Sequence, residues 1–389
     1  MNLKIAYILN SFPKTSETFI YNEILHLSNL ECTINIFSLS QPKGKMLYNP
    51  DVINEFRIIY LNLIGKRIKV LSGLILFFSS PHKFISTLLK LKYRDNSDLW
   101  YILSQSIYLS VRLKKLNINH IHSHFASTAS EIAMYVSFFT GIPYSFTTHG
   151  YDIFFSPPKN YRYRTYYAKF IVAVSKYNKQ YLMEKYHVLG NKIKIIYSGI
   201  NTIQFQRKNK VTRDYILCIA RLEPVKGLIY LVEVCNILKK RGLDIECHII
   251  GEGSQRKILT ALISKLNLDS CVFLEGTKSQ TDIIKYLHKS KVLVLSSISE
   301  GMPISALEAF SCEVPVIATN VCGVSELIQN NFNGFLVPPK NPNLLANKIK
   351  ILLKNEKLIE QFGKRGREIV IKNFNIDNQV KKIYNLISQ

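Results

Sequence analysis

"KVLVLSSISEGMPISALEAF", residues 291–310, carries in one stretch the pattern that decides the fold. Lys291–Ser296 is a short apolar run bounded by polar residues, which reads as a buried strand. Ser297–Met302 is then a loop at the strand's C-terminal end, where Gly301 lets the backbone come close to a ligand. Pro303 suits the first turn of a helix, where its missing N–H costs nothing, and Ile304–Ser311 is that helix. Two acids lie on either side of the helix start. Glu300 is in the loop, at the height of a ligand, and Glu308 is in the second turn, within reach of a hydroxyl-rich group. The free N–H groups between them favour an anion such as a phosphate. The plainer reading makes Glu300 a complement to the helix dipole and Glu308 a solvated side chain.

The same strand–loop–helix unit recurs along the chain and argues for α/β architecture with parallel sheets. Strands are predicted near 3–9, 33–39, 119–125, 143–148, 170–174 and 193–197, with helices such as 18–30 and 128–140 between them. The pattern restarts at Tyr215–Ala220. A helix over Gly227–Lys240 follows, with Leu228, Leu231, Val232, Cys235 and Leu238 at helical spacing, and then strands near 245–250, 271–275, 291–296 and 314–318. Two doubly wound domains are expected: residues 1–200, a polar basic linker at 201–213, and residues 214–373. Open parallel sheets bind ligands beyond the C-terminal ends of their strands, so the active site is expected in the cleft between the two.

Composition narrows the classes. The 389 residues are 47% hydrophobic, enough for sizeable cores, and carry a formal net charge of +24 spread over both halves. Such a balance suits anionic partners: nucleic acid, acidic lipid or phosphorylated small molecules. No nucleic-acid-binding module is visible. The seven cysteines form no CxxC and sit mostly in apolar runs, as buried free thiols of a reducing compartment do. MNLKIAYILN makes a poor signal peptide. No apolar run reaches the roughly 20 residues of a spanning helix. Val70–Phe78, preceded by Lys66, Arg67 and Lys69, reads equally as a core helix or as an element lying on a membrane surface.

Three further loops follow predicted strands. Ala220–Gly227 (ARLEPVKG) places Arg221 and Lys226 where two cations would clamp a diphosphate. Thr147–Asp152 (TTHGYD) puts His149 and Gly150 at a strand end. Ser11–Thr18 (SFPKTSET) is a polar turn opening a helix, with Ser16 or Thr18 as possible caps. It lacks the glycines of a GxGxxG loop, which disfavours a dinucleotide dehydrogenase. His120, His122 and His124 would share one face of a strand and could bind zinc, but no accompanying ligand motif supports a metal. There is no DxD; the nearest match, Asp244-Ile245-Glu246, falls in a predicted strand.

These loops, in this order, resemble the retaining glycosyltransferases of family 4, which have the GT-B fold of two Rossmann-like domains facing across a cleft. The E-x7-E of Glu300 and Glu308 resembles the family signature, ARLEPVKG its G-R-L-x-x-x-K-G, and IIGEG at 249–253 its I-G-x-G turn. GVSELIQNNFNGFLVPP at 323–339 resembles the downstream run. SFPKTSETFIYNEI and the HSHFAS…THGYDIF pair resemble the branch that builds bacterial exopolysaccharide, capsule and O-antigen chains, lipopolysaccharide included. The resemblance implies that Arg221 and Lys226 hold the donor diphosphate, with Gly251, Gly253, Gly301, Met302 and Pro303 around the donor. It implies that Glu300 contacts the donor sugar, Glu308 the ribose hydroxyls, and His149 the sugar near its anomeric carbon. Ser16, Glu17 and Asp152 would lie toward the acceptor. It further implies a UDP- or GDP-sugar donor, a lipid-linked glycan acceptor, no cofactor and no metal. A cytoplasmic enzyme peripheral on an anionic membrane's inner face is implied as well, with a C-terminal helix at about 374–389 crossing back to the first domain. An epimerase on the same scaffold and a non-catalytic glycan- or lipid-binding homologue are the alternatives. Two departures bear on local geometry. Glu313 or Val314 stands where the family usually has Gly before Pro-Val, and Asn201 replaces the Asp of N-G-[IV]-D.

Overall fold

The computed structural model describes residues 3–42, 56–91, 98–207, 213–244 and 246–389. The chain divides into two compact units, Met1–Tyr197 with Val380–Gln389, and Ser198–Gln379. Most of the linker expected at 201–213 therefore groups with the second unit, and its residues 208–212 lie outside the described ones.

The first unit is built on seven strands: β1 (Leu3–Ser11), β2 (Cys32–Ser40), β3 (Arg57–Tyr60), β4 (His120–His124), β5 (Tyr144–Thr148), β6 (Phe170–Ala173) and β7 (Ile193–Ile195). They lie in the order β3-β2-β1-β4-β5-β6-β7, all parallel. Ile5 pairs with Ile34 on one side and with His120 on the other. The chain thus winds outward from β1, returns, and winds out the other way from β4. Helices Thr18–Ser28, Leu99–Lys115, Thr128–Thr140 and Lys176–Tyr186 are among those making the crossovers. Ile8, Phe37, Ile121, Ile132, Phe146 and Ile171 form part of one buried core.

The second unit repeats the plan with β8 (Tyr215–Ile219), β9 (Cys247–Ile250), β10 (Val272–Gly276), β11 (Ser290–Leu295), β12 (Val316–Thr319) and β13 (Gly334–Val337), ordered β10-β9-β8-β11-β12-β13. Its core gathers Ile216, Leu231, Val232, Ile249, Val294 and Ile349. The winding reverses between β1 and β4 in one unit and between β8 and β11 in the other. Ligands of doubly wound sheets bind beyond the strand ends at such reversals.

Eleven of these strands match the sequence expectations to within a few residues. The strand expected at 245–250 includes Ile245, which lies outside the described residues; β9 is seen from Cys247. The two unforeseen strands, β3 and β13, are four-residue edge strands, too short to show a period-2 pattern. Two helix starts differ from expectation. Pro303 caps the helix Ile304–Ser311 from outside, with extended backbone, instead of opening its first turn. Helix Thr18–Ser28 follows a short 3-10 turn at Thr15–Glu17, and no side chain caps it, so neither Ser16 nor Thr18 takes that role.

The two departures from the family pattern are resolved locally. Glu313 itself occupies a left-handed conformation, φ +56°, the geometry that glycine adopts most readily. Its carbonyl accepts from Arg213 Nη2 at 2.7 Å, and its carboxylate lies 3.5 Å from Arg207 Nη1. Asn201 accepts from the backbone N–H of Ile203 and Gln204 at 3.1 and 3.0 Å through Oδ1, the turn-closing bond that an Asp would also make.

Candidate active site

In the second unit, the loops after β8 and β11 are stitched together at the reversal point. Ile298 N–H donates to Val225 O at 2.8 Å, and Ser296 Oγ donates to Lys226 O at 3.1 Å. Gly227 makes this approach possible. Its φ is +59°, and a Cβ there would lie 2.3 Å from Ser296 O. Across the stitch, Lys226 Nζ meets Glu300 Oε1 at 2.6 Å, with side chains only 17% and 9% exposed. Ser297 Oγ donates to the same carboxylate oxygen at 2.7 Å. The two motifs that sequence reading treated separately are thus joined by one ion pair. Arg221 is exposed and makes no ion pair among the described residues.

Gly251 and Gly253 act as spacers. A Cβ on Gly251, at φ +144°, would fall 2.0 Å from Ala220 O, and one on Gly253 would fall 2.5 Å from Leu222 O. Their smallness lets the loop after β9 pack against the loop after β8. Gly301 is half-buried, and Met302 and Pro303 are buried, immediately ahead of a helix start that no side chain caps. Glu308 lies inside that helix, buried, with no hydrogen-bond partner for its carboxyl among the described residues. Burial pushes its carboxyl up to about 8. It is therefore not the solvated side chain of the plainer reading.

In the first unit, the residues gather around β4. His120, His122 and His124 do share one face of the strand, and all are buried. Ser145 Oγ lies 2.7 Å from both His120 Nε2 and His122 Nδ1, and Thr147 Oγ1 lies 3.0 Å from His122 Nε2. His124 Nδ1 lies 3.1 Å from His149 Nε2, and His124 Nε2 lies 3.1 Å from Glu23 Oε1. Tyr7 donates its hydroxyl to the same Glu23 oxygen at 2.8 Å. Burial alone would raise the Glu23 carboxyl, but His124, His122 and the Tyr7 hydroxyl bring it below its ordinary value. Burial, with His124 and His122 nearby, holds the His149 imidazole well below its usual range. Glu23, His122 and His124 have the spacing of metal ligands. Each of those ligand atoms is already engaged by a hydrogen bond within the chain.

The backbone at His149 is clasped by Asp152. Its Oδ1 accepts from the N–H of His149 and Gly150 at 3.0 and 3.1 Å, and its Oδ2 from Ala126 at 2.8 Å. Asp152 is buried with both oxygens in use, and so holds the loop. Glu17 pairs with Lys14 at 2.7 Å, and Ser16 is exposed. Sequence reading missed Glu23, Tyr7, Phe19 and Phe125. The available signal was Glu23 itself, an acid on the apolar stripe of Ile20, Ile24 and Leu27.

The chain matches the family described as Glycosyl transferases group 1 over residues 200–369 and that described as Glycosyltransferase Family 4 over residues 77–204. It is 32% identical over 281 residues to an uncharacterized glycosyltransferase of Methanocaldococcus jannaschii, covering 70% of this chain and 76% of that one. It is 26% identical over 305 residues to the UDP-Gal:alpha-D-GlcNAc-diphosphoundecaprenol alpha-1,3-galactosyltransferase of Escherichia coli, covering 72% and 77%. The crystal structure of a glycosyltransferase from Rickettsia africae superposes with a TM-score of 0.77 at 23% identity, covering 100% of this chain and 98% of that one. The protein is a GT-B glycosyltransferase of the kind at work in polysaccharide biosynthesis. The chain belongs to glycosyltransferase family 4.

Proposed function

We propose that this chain moves a sugar, with retention at its anomeric carbon, from a UDP- or GDP-sugar onto a growing lipid-linked polysaccharide, without a metal. The observation that carries this reading is the Lys226–Glu300 pair beside an uncapped helix start, with the buried and unpartnered Glu308 one turn further on. A nucleoside diphosphate leaves with growing negative charge, and aimed cations and helix N–H groups are the strongest means of stabilising it. In this reading Lys226 and Arg221 serve the diphosphate, Glu300 the sugar hydroxyls, Glu308 the ribose hydroxyls and His149 the transferred sugar. The Escherichia coli relative's UDP-Gal donor and diphosphoundecaprenol acceptor support the choice of substrates.

The acceptor half of the proposal draws on the first unit's surface. Helices Lys66–Ser79 and Pro81–Lys90 are bent by 115° to one another, and no single helix among the described residues is long and apolar enough to cross a membrane. Val70, Leu71, Leu74, Phe78 and Leu89 are exposed beside Lys66, Arg67 and Lys69. Leu76 anchors the first helix against Ile107 and Phe139. An apolar ridge flanked by cations suits an anionic membrane surface, at about 1 kcal/mol per well-placed basic residue. The enzyme would then work peripherally, on the cytoplasmic face where nucleotide sugars are made.

The test is a thermal-shift panel of UDP, GDP, ADP, CMP and dTDP species on the full chain, followed by anomeric NMR of the product formed with EDTA present. A nucleotide at 100 times its dissociation constant adds about 2.7 kcal/mol to native stability. Stabilisation by one nucleotide and an anomer matching the donor's are expected. Stabilisation by none, an inverted product, or activity that vanishes with EDTA would each overturn the corresponding part.

A further inference from the structure

His149 is held on every side by groups that its proposed sugar contact does not explain. Phe19 and Phe125 each place a ring centroid 4.5 Å from the His149 ring. Phe125 does so from a left-handed backbone, φ +66°, a conformation that bulky side chains rarely adopt and that clusters at functional sites. Asn178 Nδ2 donates to the His149 carbonyl, and Asp152 fixes the peptide on its other side. The backbone and ring plane are thus set. What remains to be set is which ring nitrogen carries the hydrogen.

We propose that Glu23 and His124 are positioning residues that fix the tautomer of His149, so that its Nδ1 faces substrate as a bare acceptor. The argument is a count of hydrogens along one line. Glu23 can only accept, and it does so from Tyr7 on one side and from His124 Nε2 on the other. His124 is taken as the neutral imidazole, with its hydrogen on Nε2 and its Nδ1 bare. The 3.1 Å contact to His149 then requires the hydrogen on His149 Nε2. His149 Nδ1 is left bare, with no partner in the chain among the described residues, free to accept from a sugar hydroxyl. One carboxylate on helix Thr18–Ser28 therefore polarises two imidazoles in sequence. The functional part of this inference rests on His149 meeting the transferred sugar.

The experiment uses the full chain labelled with 15N-histidine. Its nine histidines are few enough to assign His149 by comparison with His149→Gln. Nitrogen shifts in the ligand-free protein are expected to show Nε2 protonated and Nδ1 bare. In Glu23→Ala both tautomers should appear, and kcat should fall on the order of 10–100-fold, as when a metal-bound imidazole loses its outer hydrogen-bond partner. Nucleotide affinity should stay unchanged. Glu23→Gln, which keeps an accepting oxygen, should restore most of kcat. A wild-type spectrum with the bare nitrogen at Nε2 would overturn the relay even if Glu23→Ala fails to fold. So would a His149 spectrum and kcat unmoved by Glu23→Ala. If the spectra behave as expected but His149→Ala transfers sugar at the wild-type rate, the tautomer control stands and the sugar-facing role of His149 is what fails.

Discussion

Glu308 gives the sharpest prediction, because its burial makes the second unit's stability depend on pH in an unusual direction. An ordinary carboxyl at 4.5 is raised to about 8 here by burial. Between those values the native chain holds a proton that the unfolded chain has released. Native protein therefore binds more protons than unfolded protein in that window, and stability falls as pH rises through it. The contribution is fully present below about 4.5 and fully lost above about 8. At about 1.4 kcal/mol per pH unit, the loss across the window is on the order of 5 kcal/mol. Glu308→Gln keeps the shape and removes the titration. Thermal melts of wild type and variant from pH 5 to 9 should converge at the acid end and separate at the alkaline end, the variant melting higher by more than ~10 °C, at ~2–4 °C per kcal/mol for a unit of this size. Parallel pH profiles would refute the reasoning. A nucleotide whose ribose hydroxyls donate to Glu308 would favour its carboxylate form. Binding at pH 7 should then release a proton, visible as calorimetric heats that depend on the buffer's ionisation enthalpy.

Four other outcomes follow from the same geometry. Gly227→Ala sets a Cβ 2.3 Å from Ser296 O at a φ of +59°; it should cost more than ~1 kcal/mol in urea unfolding and weaken nucleotide binding, and a silent substitution would mean the two loops are not stitched as described. Glu313→Gly should stabilise the chain by about 1 kcal/mol, since glycine suits φ +56° and the long, partly exposed 3.5 Å contact with Arg207 is worth little; a lower melting temperature would contradict this. Lys226→Ala leaves Glu300 without its cationic partner, so it should weaken nucleotide binding more than Arg221→Ala does, and adding Glu300→Gln should recover part of the loss in the thermal-shift panel. Replacing Leu74 and Phe78 with Ser, both exposed, should reduce co-sedimentation with anionic vesicles while leaving the melting temperature unchanged, and undiminished binding would remove the ridge from the membrane proposal.

The fold was legible because each long strand is an apolar run that ends in a polar turn, as in Val292–Ser297 or Tyr144–Gly150. β3 and β13 escaped notice because four residues at a sheet's edge carry too little pattern. The second unit's site was legible as two separate motifs, since loops after strands are local in sequence. Their junction was not, because the pairing of Lys226 with Glu300 spans residues that only the β8–β11 neighbourhood brings together. The first unit's network shows the same limit more strongly. Glu23 and His124 stand 101 positions apart, and nothing in either local pattern announces the other. Asp152 shows the converse. The family resemblance implied an acceptor-side role for it, and only the backbone N–H groups at its two oxygens reveal a clasp.

The two acids that frame the opening loop are kept from charging it by different means. Lys226 neutralises Glu300 through a 2.6 Å contact, and burial keeps the proton on Glu308 up to about 8. At neutral pH the loop therefore carries little net negative charge, although two carboxyl groups flank the helix start. This matters for the proposed ligand. An ionised pair of acids would repel a diphosphate at the very N–H groups meant to receive it, by several kcal/mol in a partly buried setting. In the proposed reading, with both acids silenced, the exposed Arg221 would draw the anion in. Lys226 can then turn from Glu300 to phosphate, which frees Glu300 to accept from sugar hydroxyls. Under the proposed function, phosphate capture would thus be coupled to release of the Glu300 carboxylate, with Lys226 as the shared part.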